Sequence, residues 1–181
     1  PPEFTQQIPA ARRLLEAMRI PALEFDGYEA DDVIGTLAKR TAEQGYEVVI
    51  VSSDKDLLQL VDDDAHISML NPAKDDTMYD AAKVEEYMGV PPKQVSHLLA
   101  LKGDAIDNIP GAPGIGDKGA RDLLKQYGSV EAVLDHAAEV QRKTYRESLQ
   151  NYRAQIELSK RLATVTCDVP IEWDITQATV H

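Results

Sequence analysis

The stretch Val48-Val49-Ile50-Val51-Ser52-Ser53-Asp54-Lys55-Asp56-Leu57-Leu58 decides how the rest of the chain is read. Four β-branched residues in a row predict a strand buried on both faces, as in a parallel sheet. The run ends at two serines, and two aspartates follow with one residue between them. Ligands of open α/β sheets bind outside the carboxyl ends of the strands, so Asp54 and Asp56 fall where chemistry is expected.

Working outward, Pro21 to Phe25 predicts a short strand closed by the Asp26-Gly27 turn, and Ala65 to Leu70 predicts a third strand. A helix from about Glu29 to Gln44 carries Ala30, Val33, Ile34, Leu37 and Ala38 on one face and ends at Gly45. A short helix runs through Leu57, Leu58 and Leu60. This alternation predicts an α/β fold with a parallel central sheet flanked by helices. Upstream, Pro1 to Thr5 reads as the tail of a linker, and Pro9 to Ile20 as a helix burying Ala10, Leu14, Leu15 and Met18.

After Asn71-Pro72 the chain turns helical. Asp80 caps a helix ending at Gly89, and Pro91 or Pro92 opens another that runs to Lys102 on Val95, Leu98, Leu99 and Leu101. A loop rich in glycine, proline and acids spans Gly103 to Gly116. Ala120, Leu123, Leu124 and Tyr127 form the next stripe, Ser129 caps a short helix, and Val140 to Leu162 reads as one long helix with Tyr145, Leu149, Tyr152 and Ile156 inward. The tail after Thr164 has no clear pattern. The expected division is an α/β core over residues 1–79 and a helical region over 80–181, with a helix–hairpin–helix element at about 95–127.

With 181 residues, 43% hydrophobic and 28% charged, the chain is long enough for one good core. Its longest apolar runs are too short to span a bilayer, and no secretory signal opens it. The single cysteine, Cys167, excludes an internal disulfide and fits a reducing cytoplasm. The net charge of −12 argues against a nucleic-acid partner, unless the acids gather around divalent metal. Composition by itself leaves both accounts open.

Three places carry chemistry. Glu29, Asp31 and Asp32 open a helix directly after the first expected strand. Acids suit a helix N-terminus, but three in four residues exceed what capping requires. Their side chains lean back toward the sheet edge that carries Asp54 and Asp56. An EF-hand is excluded at the second place, since Gln59 stands at its required glycine. A haloacid-dehalogenase-type site would want a small hydroxyl residue where Leu58 stands. Asp104 and Asp107 come from the loop, and its Gly114-Ile115-Gly116 turn feeds a helix carrying Lys118 and Arg121. Gly114, Gly116, Lys118 and Arg121 suit a DNA backbone held without reading sequence.

Held bare at about 4 Å, each pair of these carboxylates would cost on the order of 4 kcal/mol. Such a cluster makes sense around hard cations, and all-oxygen ligands point to Mg²⁺ or Mn²⁺, two of which can drive phosphodiester hydrolysis. His66, His97, His136 and His181 are scattered and suggest no catalytic set.

Gly27-Tyr28-Glu29-Ala30-Asp31-Asp32, Ser53-Asp54-Lys55-Asp56-Leu57 and Gly103-Asp104-Ala105-Ile106-Asp107-Asn108-Ile109-Pro110-Gly111 occur in that order, with the hairpin element after them. Together they closely resemble the 5′ nuclease domain of bacterial DNA polymerase I, in the flap endonuclease family. The resemblance runs from Pro1 to beyond Trp173. It implies a PIN-like 5′ nuclease core and a Mg²⁺-dependent 5′→3′ exonuclease and flap endonuclease of replication and repair. Its substrates would be DNA with 5′ flaps, nicks or RNA primers. The family's acid cluster maps onto Glu29, Asp31, Asp32, Asp54, Asp56, Asp104 and Asp107. Its hairpin element, which often holds K⁺ on backbone carbonyls, maps onto about Gly111 to Tyr127. A covalently linked polymerase domain and a bacterial cytoplasmic location near the nucleoid are implied as well.

One departure is large. Family members begin with a strand carrying a metal-binding aspartate and a helical arch, and Pro1 to Phe4 resembles the segment just after the arch. A fragment of a longer polypeptide is therefore expected, with an exposed sheet edge and impaired cleavage. Two other readings stay in view. A non-catalytic branched-DNA-binding module would bind with strong salt dependence and never cut. A metal-dependent phosphatase-like hydrolase would turn over a simple aryl phosphate.

Overall fold

A computed structural model describes residues 2–179. Pro1 and His181, both named above, lie outside the described residues. The expected central strand forms as β1 (Val48–Val51), and its neighbour as β2 (Ile67–Asn71), paired in parallel with Val48 opposite Ile67 and Val51 opposite Leu70. Between them, Asp54 caps a 3₁₀ helix, Lys55–Leu60, that buries Leu57, Leu58 and Leu60.

Two features of the sheet differ from expectation. A third strand, β3 (Thr77–Tyr79), returns antiparallel to β2, so the sheet is mixed and small, in the order β1-β2-β3. Three residues are too few to show an alternation. Residues 21–25, expected as a strand, form no ladder. In consequence β1 is an edge strand: Ile50 is buried, while Val49 and Val51 are 43% and 62% exposed. The four β-branched residues favour a strand but do not set how many of its faces are covered.

The helices mostly follow their signals. The first, α1 (Pro2–Ala17), starts a turn and more before Pro9, and its expected buried face is open, with Leu14 60% exposed. Among the described residues, none from α1 joins either hydrophobic cluster. Next, α2 (Ala30–Glu43) buries Val33, Gly35, Thr36 and Ala38. Asp80 caps α3 (Ala81–Met88), which ends at Gly89 in the left-handed conformation. A 3₁₀ turn at Pro92–Gln94 leads into α4 (Val95–Lys102), the centre of the core, with Leu98, Leu99, Ala100 and Leu101 fully buried. A helix apolar all round has to be enclosed on every side, and here α5 (Asp117–Tyr127), α6 (Val130–Asp135) and α8 (Arg153–Leu162) pack around it.

The long helix expected over 140–162 is two helices. The first of them, α7 (Lys143–Asn151), is separated from α8 by Tyr152 alone, which leaves helical geometry at φ −117° and ψ 22° and faces solvent. Leu149 and Ile156 reach the core on either side of this break, whereas Tyr152, expected inward, does not.

The tail is an ordered strap against α2. Arg40 donates to the carbonyls of Val169 and Ile171, both at 2.7 Å, and the Val169 amide donates to Thr36 Oγ1 at 3.1 Å. Val169 and Ile171 close over Val33 in a second hydrophobic cluster. Gly35 permits this approach, since a Cβ there would lie 2.9 Å from Val165 Cγ1.

Among the described residues no helix is long and apolar enough to cross a membrane. An unpaired β1 edge carrying two exposed valines predicts concentration-dependent self-association. Sedimentation should show that association suppressed by Val51→Lys, with the thermal midpoint unchanged within about 1 °C because residue 51 packs against little.

Candidate metal centre

The acids arrive from three separate segments, each set by local chemistry. Asp54 stands where β1 ends. Its amide donates to Ser52 Oγ at 3.0 Å, and its Oδ1 accepts from the Asp56 amide at 2.9 Å, which fixes the turn into the 3₁₀ helix. Glu29 occupies the N-cap of α2, and Asp32 reaches back to accept from the Glu29 amide at 3.3 Å. The other oxygen of Asp32 accepts from the Thr166 amide of the strap at 2.8 Å. Asp32 is thus held by two backbone amides. Asp31, between the two capping residues, makes neither bond and faces its neighbours.

Asp104 and Asp107 come from the loop after α4. Paired bonds between Asp104 and Ile109, at 2.8 and 2.7 Å, close a small ring of backbone, and Asp104 Oδ1 accepts from the Ile106 amide at 3.0 Å. Gly111 holds this loop against α4. It adopts φ +65°, and a Cβ there would collide with the Gly103 amide. From α8, Ser159 Oγ accepts from the Gly111 amide at 3.1 Å, and Gln155 donates to the Gly111 carbonyl at 2.8 Å.

These segments converge. Glu29, Asp31, Asp32, Asp54, Asp56 and Asp107 line one cleft of about 210 Å³, whose opposite wall is the end of α8 and the start of the strap, Leu162 to Val165. Asp104 joins from behind, and single carboxylate oxygens of Asp56, Asp104 and Asp107 lie within 4.8 Å of one another. All seven acids expected from the sequence therefore reach one neighbourhood.

The charges feel each other. Burial, then the charges of Asp54, Glu29, Asp32 and Asp107, raise the Asp31 carboxyl above its ordinary value. Asp56 is pushed up to about 6, chiefly by burial, with Asp54, Asp107 and Asp104 adding to it and Lys55 opposing. Asp104 goes the other way. Burial works against its charge, but the hydrogen bond from Lys55, the Ile106 amide and the nearby Lys55 and Lys102 charges outweigh it.

Lys55 is the residue of this site to which the sequence reading assigned no role. It is only 27% exposed, and its Nζ lies 2.6 Å from Asp104 Oδ2 and 3.5 Å from Asp56 Oδ1. Its sequence position between two expected ligands was the available signal. No local signal marked the supporting residues Gln59, Gln155, Ser159 and Thr166, whose partners lie far along the chain.

The hairpin element is present between α4 and α5. Gly114 has φ +78° and open space outside it, and Gly116 is likewise uncrowded. Lys118 is exposed at the start of α5. Arg121 is more constrained than its spacing suggests: it pairs with Asp117 at 2.8 Å, and its guanidinium lies against Gly89. His97, by contrast, is structural, its Nδ1 accepting from the Val130 amide at 3.1 Å.

Two measurements follow from this geometry. The folded chain holds the Asp56 carboxyl at about 6 against an ordinary 3.8, so between those values it binds more protons than the unfolded chain. This group's contribution to stability therefore falls as the pH rises from about 4 to about 6 and stays lost above that. In EDTA, Asp56→Asn should raise the melting temperature at pH 7.5 and flatten its decline across that window. Gly114→Ala should lose only the strain of a positive φ, ~1–2 kcal/mol. Gly111→Ala should lose clearly more, because a collision adds to the strain, as urea unfolding would read.

Comparison with known proteins agrees with this architecture. The family model described as "5'-3' exonuclease, N-terminal resolvase-like domain" matches residues 1–89, and "5'-3' exonuclease, C-terminal SAM fold" matches residues 90–181. The chain is 44% identical to DNA polymerase I of Bacillus caldotenax over 97% of its own length, and spans about 20% of that protein's length. It is 40% identical to the 5'-3' exonuclease of Aquifex aeolicus, over 95% of this chain and 57% of that one. A structure of T5 5'-exonuclease with zinc bound superimposes with a TM-score of 0.79 at 23% identity, covering 88% of this chain and 58% of that one. The catalytic core of Rad2 bound to DNA gives 0.57 at 17% identity, covering 93% of this chain and 59% of that one. Two adjoining models of one family cover the chain from end to end, and it belongs to the 5'-3' exonuclease family.

Proposed function

We propose that this chain is the nuclease part of a longer protein of the DNA polymerase I type, with a covalently linked polymerase domain. Its reaction is the metal-dependent hydrolysis of phosphodiesters at 5′ flaps, nicks and RNA primers, in replication and repair in the bacterial cytoplasm. The observation that carries the reading is the convergence of six carboxylates, from residues 29–32, 54–56 and 107, at one cleft with Asp104 joining from behind, in a chain whose α4–α5 loop carries open glycines. In support, T5 5'-exonuclease has been solved with zinc and in a pseudo-enzyme-product complex with DNA and metal ions.

The donor set fits hard divalent cations. It offers oxygen alone, Asp56 Oδ1 is buried without a hydrogen-bond partner, and a lysine ammonium already stands among three of the acids. Glu29, Asp31, Asp54, Asp56, Asp104 and Asp107 would hold two Mg²⁺ or Mn²⁺ ions, with Asp32 fixing the opening turn of α2. When bound, the ions would supply an activated water and stabilise the leaving oxygen.

The chain's own residues do the rest. The acid cleft excludes a bare phosphodiester by its charge, so the backbone of the substrate has to be held elsewhere. Gly114 and Gly116 let a phosphate approach the N-terminus of α5, where the dipole and Lys118 favour it. Arg121, engaged by Asp117, contributes once that pair opens. A K⁺ ion on the carbonyls of about Gly111 to Tyr127 belongs to the same reading. So does the division into a metal-binding part over 1–79, which holds every strand among the described residues, and a helical part over 80–181.

Cleavage of a labelled 5′-flap duplex in Mg²⁺ or Mn²⁺ tests the proposal. The chain should cut at the junction, and Asp54→Ala and Asp104→Ala should each reduce the rate by at least 100-fold, within the range for lost electrostatic and metal contributions. Cutting undiminished in both variants would overturn the ligand assignment, and binding without cutting by any form would favour a DNA-binding module.

A further inference from the structure

A divalent cation at the Asp56, Asp104 and Asp107 carboxylates would have to occupy the space that Lys55 fills. The Lys55 Nζ lies 2.6 Å from Asp104 Oδ2, 3.5 Å from Asp56 Oδ1 and 3.8 Å from Asp107 Oδ2. These are the three acids whose oxygens approach within 4.8 Å of one another. Among the described residues, Lys55 is the only lysine or arginine paired with any of them.

The ammonium serves the three unequally. Only Asp104 lies within good hydrogen-bonding distance, and Asp56 Oδ1 stays buried without a hydrogen bond. A compact ion that binds several oxygens at once would satisfy all three better. Among the described residues nothing else anchors the lysine head. Its backbone opens the 3₁₀ helix, and the turn is held by Asp54 accepting from the Asp56 amide, which does not involve the Lys55 side chain. The flexible four-carbon stem can therefore swing away while both aspartates keep their positions.

We propose that Lys55 is a tethered stand-in cation, which holds Asp56, Asp104 and Asp107 together in the metal-free chain and leaves when a divalent ion enters. This rests on the metal reading of the cleft. Two effects follow together. Lys55 stabilises the empty centre against repulsion, and for the same reason it competes with the ion and weakens its binding. A lysine that merely stood nearby would weaken binding through its field without changing its own surroundings on loading.

Calorimetric titration with Mn²⁺ of the unaltered chain and of Lys55→Met separates these cases. Lys55→Met should bind Mn²⁺ about ten-fold more tightly, because the displaced ion pairs no longer oppose it. Its melting temperature in EDTA should fall by roughly 2–4 °C, and the gap should close at saturating Mn²⁺. Lys102→Met removes a charge near Asp104 without emptying the niche, and should change Mn²⁺ affinity less. In the unaltered chain, the ¹⁵N-detected Lys55 ammonium resonance should shift in step with Mg²⁺ occupancy. Unchanged or weaker Mn²⁺ binding by Lys55→Met, an unchanged metal-free melting temperature, or a resonance indifferent to Mg²⁺ would each overturn the inference while leaving the metal centre standing. Absence of binding by the unaltered chain would overturn the metal reading, and this inference with it.

Discussion

Six carboxylates share one cleft of about 210 Å³, and a seventh, Asp104, stands behind Lys55, so like-charge repulsion is the force that the surrounding structure has to contain. At ~4 Å and an intermediate dielectric each close pair opposes folding by on the order of 4 kcal/mol, which is comparable to a large part of a domain's whole stability. The raised carboxyls of Asp31 and Asp56, lifted first by burial and then by neighbouring charges, carry part of that stress. A site of this kind persists only where burial and hydrogen bonding elsewhere outweigh it.

The containment comes from parts of the chain remote from the acids. Segment 104–109 is closed by its own paired backbone bonds and pinned by Ser159 and Gln155 of α8 through Gly111. The opening turn of α2 is pinned by the strap, through Thr166 to Asp32 and through Arg40 to Val169 and Ile171. Gln59 ties the 3₁₀ helix to both, accepting from the Val165 amide at 3.0 Å and donating to the Ala163 carbonyl at 3.0 Å. The carboxyl end of the chain thus acts as a brace across all the acid-bearing segments. Beneath them, α4 supplies the apolar mass on which the loop and α8 rest.

A net charge of −12 looks wrong for a protein proposed to act on DNA. The charge is spatially organised, however. Much of the excess acid is collected in the cleft, where cations would neutralise it, whereas the open glycines and Lys118 sit at the start of α5. Overall charge is a statement about the average field and says little about a surface where the two signs are separated.

Much of this was legible in the sequence, and the reason is locality. Caps and breakers act within a turn, so Asp80, Gly89 and Ser129 marked their helix ends correctly. Five of the acids were legible because Glu29, Asp31 and Asp32 open a helix and Asp54 and Asp56 follow a strand, which placed them on one sheet edge. Asp104 and Asp107 come from a loop, and their place beside the others is a tertiary outcome. Three readings failed where the deciding contact is distant. The valines of β1 signal a strand, but whether both faces are covered depends on neighbours elsewhere. The apolar positions from Tyr145 to Ile156 fit one helix, yet the helix breaks at Tyr152, which faces solvent instead of the core. Lys55 reads as a surface charge until Asp104 and Asp107, about fifty residues away, close around it. The sequence by itself therefore determined which acids are candidates for the chemistry and where most helices after residue 79 are capped, since both follow from side-chain type and short-range hydrogen bonding. Only the tertiary structure decided which faces are buried, how the tail braces α2, and which cation stands among the acids. Those outcomes depend on through-space packing and Coulomb interactions between residues that no local pattern connects.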